Sequence, residues 1–197
     1  MGKIANAVWR HERTVIANQS PFNGATYRSG MQDDRWEFRF DYAPMTREQA
    51  GPLLAAVAAQ RGGTGSMLVY DPDFQTPLGN GGFIGAVNGA GQTGLNLVTD
   101  GWPNSTLVAG AGSKMWLNDF SGTIRMYEMP ADVNSNGSGQ ATIALDVPLI
   151  GSPPDNAQVG FAWGTTGIYL TARLTGFEKA TDAAGLFRIS VTGEEII

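Results

Sequence analysis

The stretch Arg35-Trp36-Glu37-Phe38-Arg39-Phe40-Asp41-Tyr42 decides the fold class. Its four aromatic residues fall on one parity and its four charged residues on the other. Successive side chains of an extended chain point to opposite faces, so this alternation predicts a strand with one buried and one wet face. Pro44 ends the strand. Thr46-Arg47-Glu48-Gln49 then spells a capping box, with Thr46 as N-cap and Gln49 at the third helical position. Ala50, Leu53, Leu54, Val57 and Ala58 recur at helical spacing, and Gly62-Gly63 supply a stop. One short α-helix is expected over about residues 47–61. Pro52 stands inside it, and because an internal proline loses a hydrogen bond and clashes with the preceding turn, a start at Pro52 is the alternative.

Beyond the helix the chain becomes short apolar runs separated by Gly, Asn, Asp and Pro, the pattern of an antiparallel β-sandwich or barrel. Strands are expected at 66–71, 82–87, 95–99, 114–117, 123–128, 141–147, 158–163, 168–177 and 186–192. Thr123–Glu128 and Phe187–Val191 alternate as a sheet with one solvated face requires. The expected fold is mainly β with a single helix. No internal repeat and no long polar linker divides the 197 residues, a length that suits one domain at about 150 residues each.

Composition narrows the function. Hydrophobic residues make up 42% of the chain, enough for a core that folds without staples, while only 16% charged residues and 27 glycines favour turns and strands over helices. A net charge of −5 leaves no surplus of Lys and Arg to neutralise phosphates, which argues against a dedicated nucleic-acid binder or a binder of anionic membranes. The absence of cysteine removes disulfides, thiolate nucleophiles, Cys-ligated zinc and iron–sulfur clusters. The apolar stretch at Ile4–Trp9 is broken by Asn6 and runs into Arg10-His11-Glu12 too early for a signal sequence. No run approaches the length of about 18 apolar residues that spans a bilayer. A protein made in the cytoplasm is expected, and Asn104-Ser105-Thr106 and Asn136-Gly137-Ser138 read as loop chemistry rather than glycosylation sites.

Each motif that could carry chemistry has a plainer reading. Gly89-Ala90-Gly91-Gln92-Thr93-Gly94 spells a dinucleotide fingerprint, but a strand rather than a helix follows it, so a tight glycine turn is expected. Asp132-Val133-Asn134-Ser135-Asn136-Gly137 matches the first half of a calcium loop, yet position 12 is Ile143, which cannot give a bidentate carboxylate; a polar hairpin loop is expected. His11 is the only histidine and lies in a charged run, expected to be exposed. Nucleophile-elbow, metalloprotease and phosphate-loop motifs are missing. The carboxylate pairs Asp33-Asp34, Asp71 with Asp73, and Glu194-Glu195 could flank a glycosidic bond, but they read as solvated charge. Of the five tryptophans, Trp36, Trp116 and Trp163 lie in strand patterns and belong to a core, Trp9 lies near the N-terminus, and Trp102 is the one expected to be exposed. No catalytic, cofactor-binding or metal-ligating residue is assigned.

The order of segments resembles the distal tail proteins of long-tailed bacteriophages. The likeness rests on Trp36–Tyr42, Pro44-Met45-Thr46-Arg47, the short helix, Gly62-Gly63-x-Gly65 and Asp71-Pro72. It continues through Val87–Gly94, Thr99-Asp100-Gly101-Trp102, Met126-Tyr127, Gly139-Gln140-Ala141 and Pro148–Pro154, and covers most of the chain after about Phe22. The resemblance implies a structural virion component and no enzyme: a ring, usually a homohexamer, that joins the tail tube to the baseplate hub or fibre. Tape measure protein passes through such a ring during assembly, and DNA later crosses its lumen without being a bound partner. An acidic balance suits such a wall. Residues 1 to about 22, which precede the likeness, are expected to be an N-terminal arm available for subunit contacts. Open sheet edges invite pairing with further copies, and Ile143-Ala144-Leu145 and Ile168-Tyr169-Leu170 carry no lysine to discourage it. The alternatives are another phage structural part, such as a tube or head–tail joining protein, a carbohydrate-binding β-sandwich module using exposed tryptophan, and a glycoside hydrolase using carboxylate pairs.

Overall fold

Residues Arg35–Tyr42 form the strand their alternation requires, with Trp36, Phe38 and Phe40 buried and Arg39 exposed on the opposite face. The structure, a computed structural model, describes residues 3–12, 15–22, 26–30, 34–71, 83–118, 122–161 and 169–196. Its elements are β1 (Ile4–Glu12), β2 (Val15–Gln19), β3 (Thr26–Gly30), β4 (Arg35–Tyr42), α1 (Arg47–Ala59), β5 (Met67–Tyr70), β6 (Ile84–Val87) and β7 (Gly94–Asp100). There follow β8 (Leu107–Ala109), β9 (Lys114–Asn118), β10 (Ile124–Glu128), β11 (Val133–Asn134), β12 (Ala141–Leu149), β13 (Gln158–Gly160), β14 (Tyr169–Thr181) and β15 (Phe187–Glu195).

Two antiparallel sheets carry the fold. One has five strands in the order β1-β4-β15-β14-β5, the other six in the order β10-β9-β13-β6-β7-β12. Both curl. The start of β1 and the whole of β5, outer strands of the first sheet, line one cleft beneath α1. In the second sheet the outer strands β10 and β12 approach until Glu128 N donates to Asp146 Oδ1 at 3.0 Å. β8 with β11 and β2 with β3 form separate two-stranded ribbons. Among the described residues no helix is long and apolar enough to cross a membrane.

The hairpin of β9 and β10 is a wall shared by two cores. Met115, Leu117 and Tyr127 face a core with Leu97, Ile143, Val159 and Phe161. Trp116, Ile124 and Met126 face the other way, onto Trp36, Phe38, Phe40, Leu170 and Val191 of the five-stranded sheet. This corrects the expectation of a solvated face on Thr123–Glu128: Arg125 and Tyr127 are buried, because the second sheet is folded over the side that alternation alone assigns to water. Phe187–Val191 does alternate as expected, with Ile189 and Val191 inside and Arg188 exposed.

Helix α1 starts at Arg47 and not at Pro52. Thr46 accepts from Gln49 N through its hydroxyl, and the Gln49 side chain accepts from Thr46 N, closing the capping box. Pro52 is tolerated in the second turn because Gly51 has no Cβ to meet the proline ring. Replacing Thr46 by alanine is expected to cost about 1 kcal/mol and to lower the melting temperature by roughly 2–4 °C, read by thermal circular dichroism. An unchanged melting temperature would show that packing alone holds the first turn.

In the N-terminal residues β1 pairs with β4 from Ile4↔Tyr42 to Glu12↔Arg35, and β2 pairs with β3 in a separate ribbon. Leu170 is not on an open edge, since β14 lies inside the sheet and pairs Tyr169–Ala172 with Tyr70–Met67 of β5. Ile168 lies outside the described residues. Ile143–Leu145 does belong to an outer strand, with Ile143 and Leu145 buried.

Candidate functional site: the polar seam between the sheets

β10 is an outer strand, and its pairing with β9 leaves the N–H groups of Ile124, Met126 and Glu128 pointing away from its partner. Such a row normally invites another strand. Here side chains take each group. Ile124 N donates to Thr171 Oγ1 at 2.9 Å, Met126 N to Glu195 Oε1 at 3.4 Å and Glu128 N to Asp146 Oδ1 at 3.0 Å. The carbonyl of Met126 accepts from Trp36 Nε1 at 2.9 Å. Thr171, Glu195 and Trp36 belong to the five-stranded sheet, so the bonds that silence this edge also fasten one sheet to the other.

Glu195 is the centre of the seam. It is 4% exposed, and its second oxygen accepts from Trp36 N at 3.2 Å. Burial raises its pKa to about 7, against the opposing pull of Arg125, the two backbone N–H groups and His11. The His11 ring stacks on Trp36 with centroids 4.5 Å apart and planes 11° from parallel, and its Nδ1 lies 3.0 Å from Asp146 Oδ2 of the other sheet. A third tie joins Asp71, at the end of β5, to Lys114 of β9 at 2.6 Å. Lys114 Nζ also lies over the rings of Trp36 and Trp9, at 4.5 and 5.4 Å from their centroids.

Glu195, Asp71 and His11 were all expected in solvent and all lie inside. The missed signal is parity carried to the strand ends: Ile189, Val191, Gly193 and Glu195 share one face of β15, and Ala7, Trp9 and His11 share one face of β1. Asp71 carried no such signal. Glu194 is also largely buried, its carboxylate clamped by Arg173 Nη2 at 2.6 Å and Arg35 Nη1 at 3.3 Å. Asp34 is half-buried, and Asp33 and Asp73 lie outside the described residues.

A carboxylate, an imidazole and an ammonium in one place could in principle move protons, but none of Glu195, His11, Lys114 and Asp71 lines the cleft beneath α1, the one beside Asn134 and Thr142 or the one beside Val8 and Thr192. Each has its partners, as buried charge requires. Fastening is the chemistry this arrangement supports. Among the described residues no group of three or more His, Cys, Asp or Glu is placed to hold a metal ion.

The other motifs resolve into turns. Gly89, Gly91 and Gly94 adopt positive φ, and the Gln92 side chain holds the β6–β7 hairpin by donating to Asn88 O, Gly89 O and Val98 O while accepting from Val98 N. In the calcium-like segment, Asp132 Oδ1 accepts from Ala111 N at 2.8 Å, and Asn136 Oδ1 accepts from Ser138 N and Gln140 N. Those oxygens serve the backbone. Trp102 is not exposed: at 4% it packs on Phe161 and donates through Nε1 to Thr99 Oγ1 at 2.8 Å. Gly85 makes the room, since a Cβ there would stand 2.5 Å from the Trp102 ring. Trp36 and Trp116 are buried, Trp9 is half-buried against the same core, and Trp163 lies outside the described residues.

No known protein family matches the sequence, and no curated protein is significantly similar to it.

Proposed function

We propose that this chain is a structural subunit of a bacteriophage tail tip, building a ring that joins the tail tube to the baseplate hub or fibre. The observation that carries this reading is the contrast between strand edges. The chain covers the outer edge of β10 with three side-chain acceptors, yet β1 and β5 of the five-stranded sheet have no partner on their outer edges among the described strands. Outer edges without a partner among the described strands, beside one covered by side chains, suit contacts between copies, and a head-to-tail contact repeated by rotation closes into a ring. The segment order set out above supplies the tail-tip assignment and the expectation of six copies, with tube, tape measure and hub proteins as neighbours in the virion.

Light scattering on the purified chain, joined to particle images, tests the reading. A closed ring, most simply a hexamer, is the expected result. A monomer at every concentration up to the millimolar range would overturn it. The carbohydrate-binding alternative, motivated by the tryptophans and the β composition, gains nothing from Trp102, whose buried indole offers no face to a sugar.

A further inference from the structure

We infer that copies of this chain dock head to tail through Phe22, which inserts into the apolar groove beneath α1 of the next copy. The inference rests on the ring reading and deepens it by naming the contact.

Three observations place the two halves. Phe22, at the turn that follows β2, is 97% exposed, an extreme for a phenyl ring. The β2–β3 ribbon that carries it pairs with neither main sheet, and a lone two-stranded ribbon is marginal in water unless something packs on it. The groove is a cleft of about 640 Å³ between α1 and the five-stranded sheet, lined by Phe38, Phe40, Leu53, Val57, Met67 and Val69 among others. It has room for a phenyl ring and a lining that matches it.

Phe22 is exposed and no described residue of its own ribbon lines the groove, so the two halves are read as meeting between copies. The groove opens at the Ile4/Tyr42 end of the β1–β4 pair, whereas the ribbon leaves from the Glu12/Arg35 end. Eight residues of strand, roughly 26 Å, separate those ends. A knob at one end and a hole at the other make a polar, head-to-tail contact, the kind that closes by rotation. A buried phenyl ring alone covers on the order of 200 Å², well short of the roughly 800 Å² per partner of a specific interface. The remaining area is available at the same rim, where β1 and β5, whose outer edges have no partner among the described strands, both reach the groove and the incoming ribbon can lie along them.

The chain has no cysteine, so engineered thiols report the contact cleanly. Full-length Pro21→Cys, which keeps Phe22, and Ala56→Cys proteins are mixed under mild oxidation; Pro21 is exposed beside Phe22 and Ala56 lines the groove. The expected result is a Pro21→Cys/Ala56→Cys heterodimer formed well ahead of either homodimer. Phe22→Ser is expected to raise the dissociation constant of assembly about thirty-fold while leaving the melting temperature unchanged. If the native chain assembles, Phe22→Ser assembles equally well and no heterodimer forms, the docking contact is wrong and the ring reading stands. If the native chain stays monomeric but the heterodimer forms, the contact stands as a weak one and the ring reading falls. A monomeric chain with no heterodimer removes both.

Discussion

Lys114→Met is expected to lower the free energy of unfolding by about 3–5 kcal/mol at pH 7, the range for removing one partner of a buried ion pair. Asp71 is fully buried and its Oδ2 lies 2.6 Å from Lys114 Nζ, so the variant leaves a carboxylate inside the protein without its ammonium. The Trp36 and Trp9 faces lose their cation in the same step. Adding Asp71→Leu should recover most of the loss, because a well-packed apolar pair often equals a buried ionic one. Urea denaturation of the two variants and the native chain measures both effects. A loss below about 1 kcal/mol for Lys114→Met would show that the pair is wet enough to be dispensable.

Glu195→Gln is the second large effect, and it appears as a change in pH dependence. The folded chain holds the Glu195 proton with a pKa of about 7 against an ordinary 4.5. Folding therefore raises proton affinity at this site. The native chain gains from that proton fully below about pH 4.5, loses the gain as pH climbs through 7, and lacks it above. At about 1.4 kcal/mol for each tenfold in affinity, the swing is of order 3 kcal/mol. The groups facing this carboxylate are Arg125 of β10 and His11 of β1, with the N–H groups of Trp36 and Met126. Glutamine keeps an acceptor oxygen and cannot ionise. Glutamine's NH2 cannot accept from the second of the two backbone N–H groups, a loss nearly constant with pH, so the expected result is that the variant gains about 2–3 kcal/mol on the native chain between pH 5 and pH 8. Other titrating groups are common to both proteins and cancel in the difference. A difference that does not change between pH 5 and pH 8 would mean that Glu195 is already solvated when folded.

These two residues mark the boundary of what local sequence carries. Alternation in Arg35–Tyr42 placed a strand, its inward face and its partners' requirements, and the capping box at Thr46 placed a helix, because both signals act between residues a few positions apart. Nine of the strands after the helix followed from turn chemistry, to within about four residues at their described ends, whereas the short ribbon strands β8 and β11 did not, and β11 lies in the segment expected to be a polar hairpin loop. The same local view put Thr123–Glu128 half in water and Glu194-Glu195 in a solvated terminus. Neither error has a local cure. Arg125 and Tyr127 are buried by a sheet folded over them, and Glu195 meets Trp36 across 159 positions of sequence.

By itself, then, the order of amino acids determined a mainly antiparallel β protein with one capped helix and glycine-built turns, since pleat, cap and positive φ depend on near neighbours. Which charged residues go inside, which strand edge is covered by side chains, and where an apolar groove forms were decided only by the tertiary structure. The reason is that desolvation and edge pairing depend on what stands across a gap in space, and curling two sheets around a shared hairpin brings together residues that the chain keeps far apart.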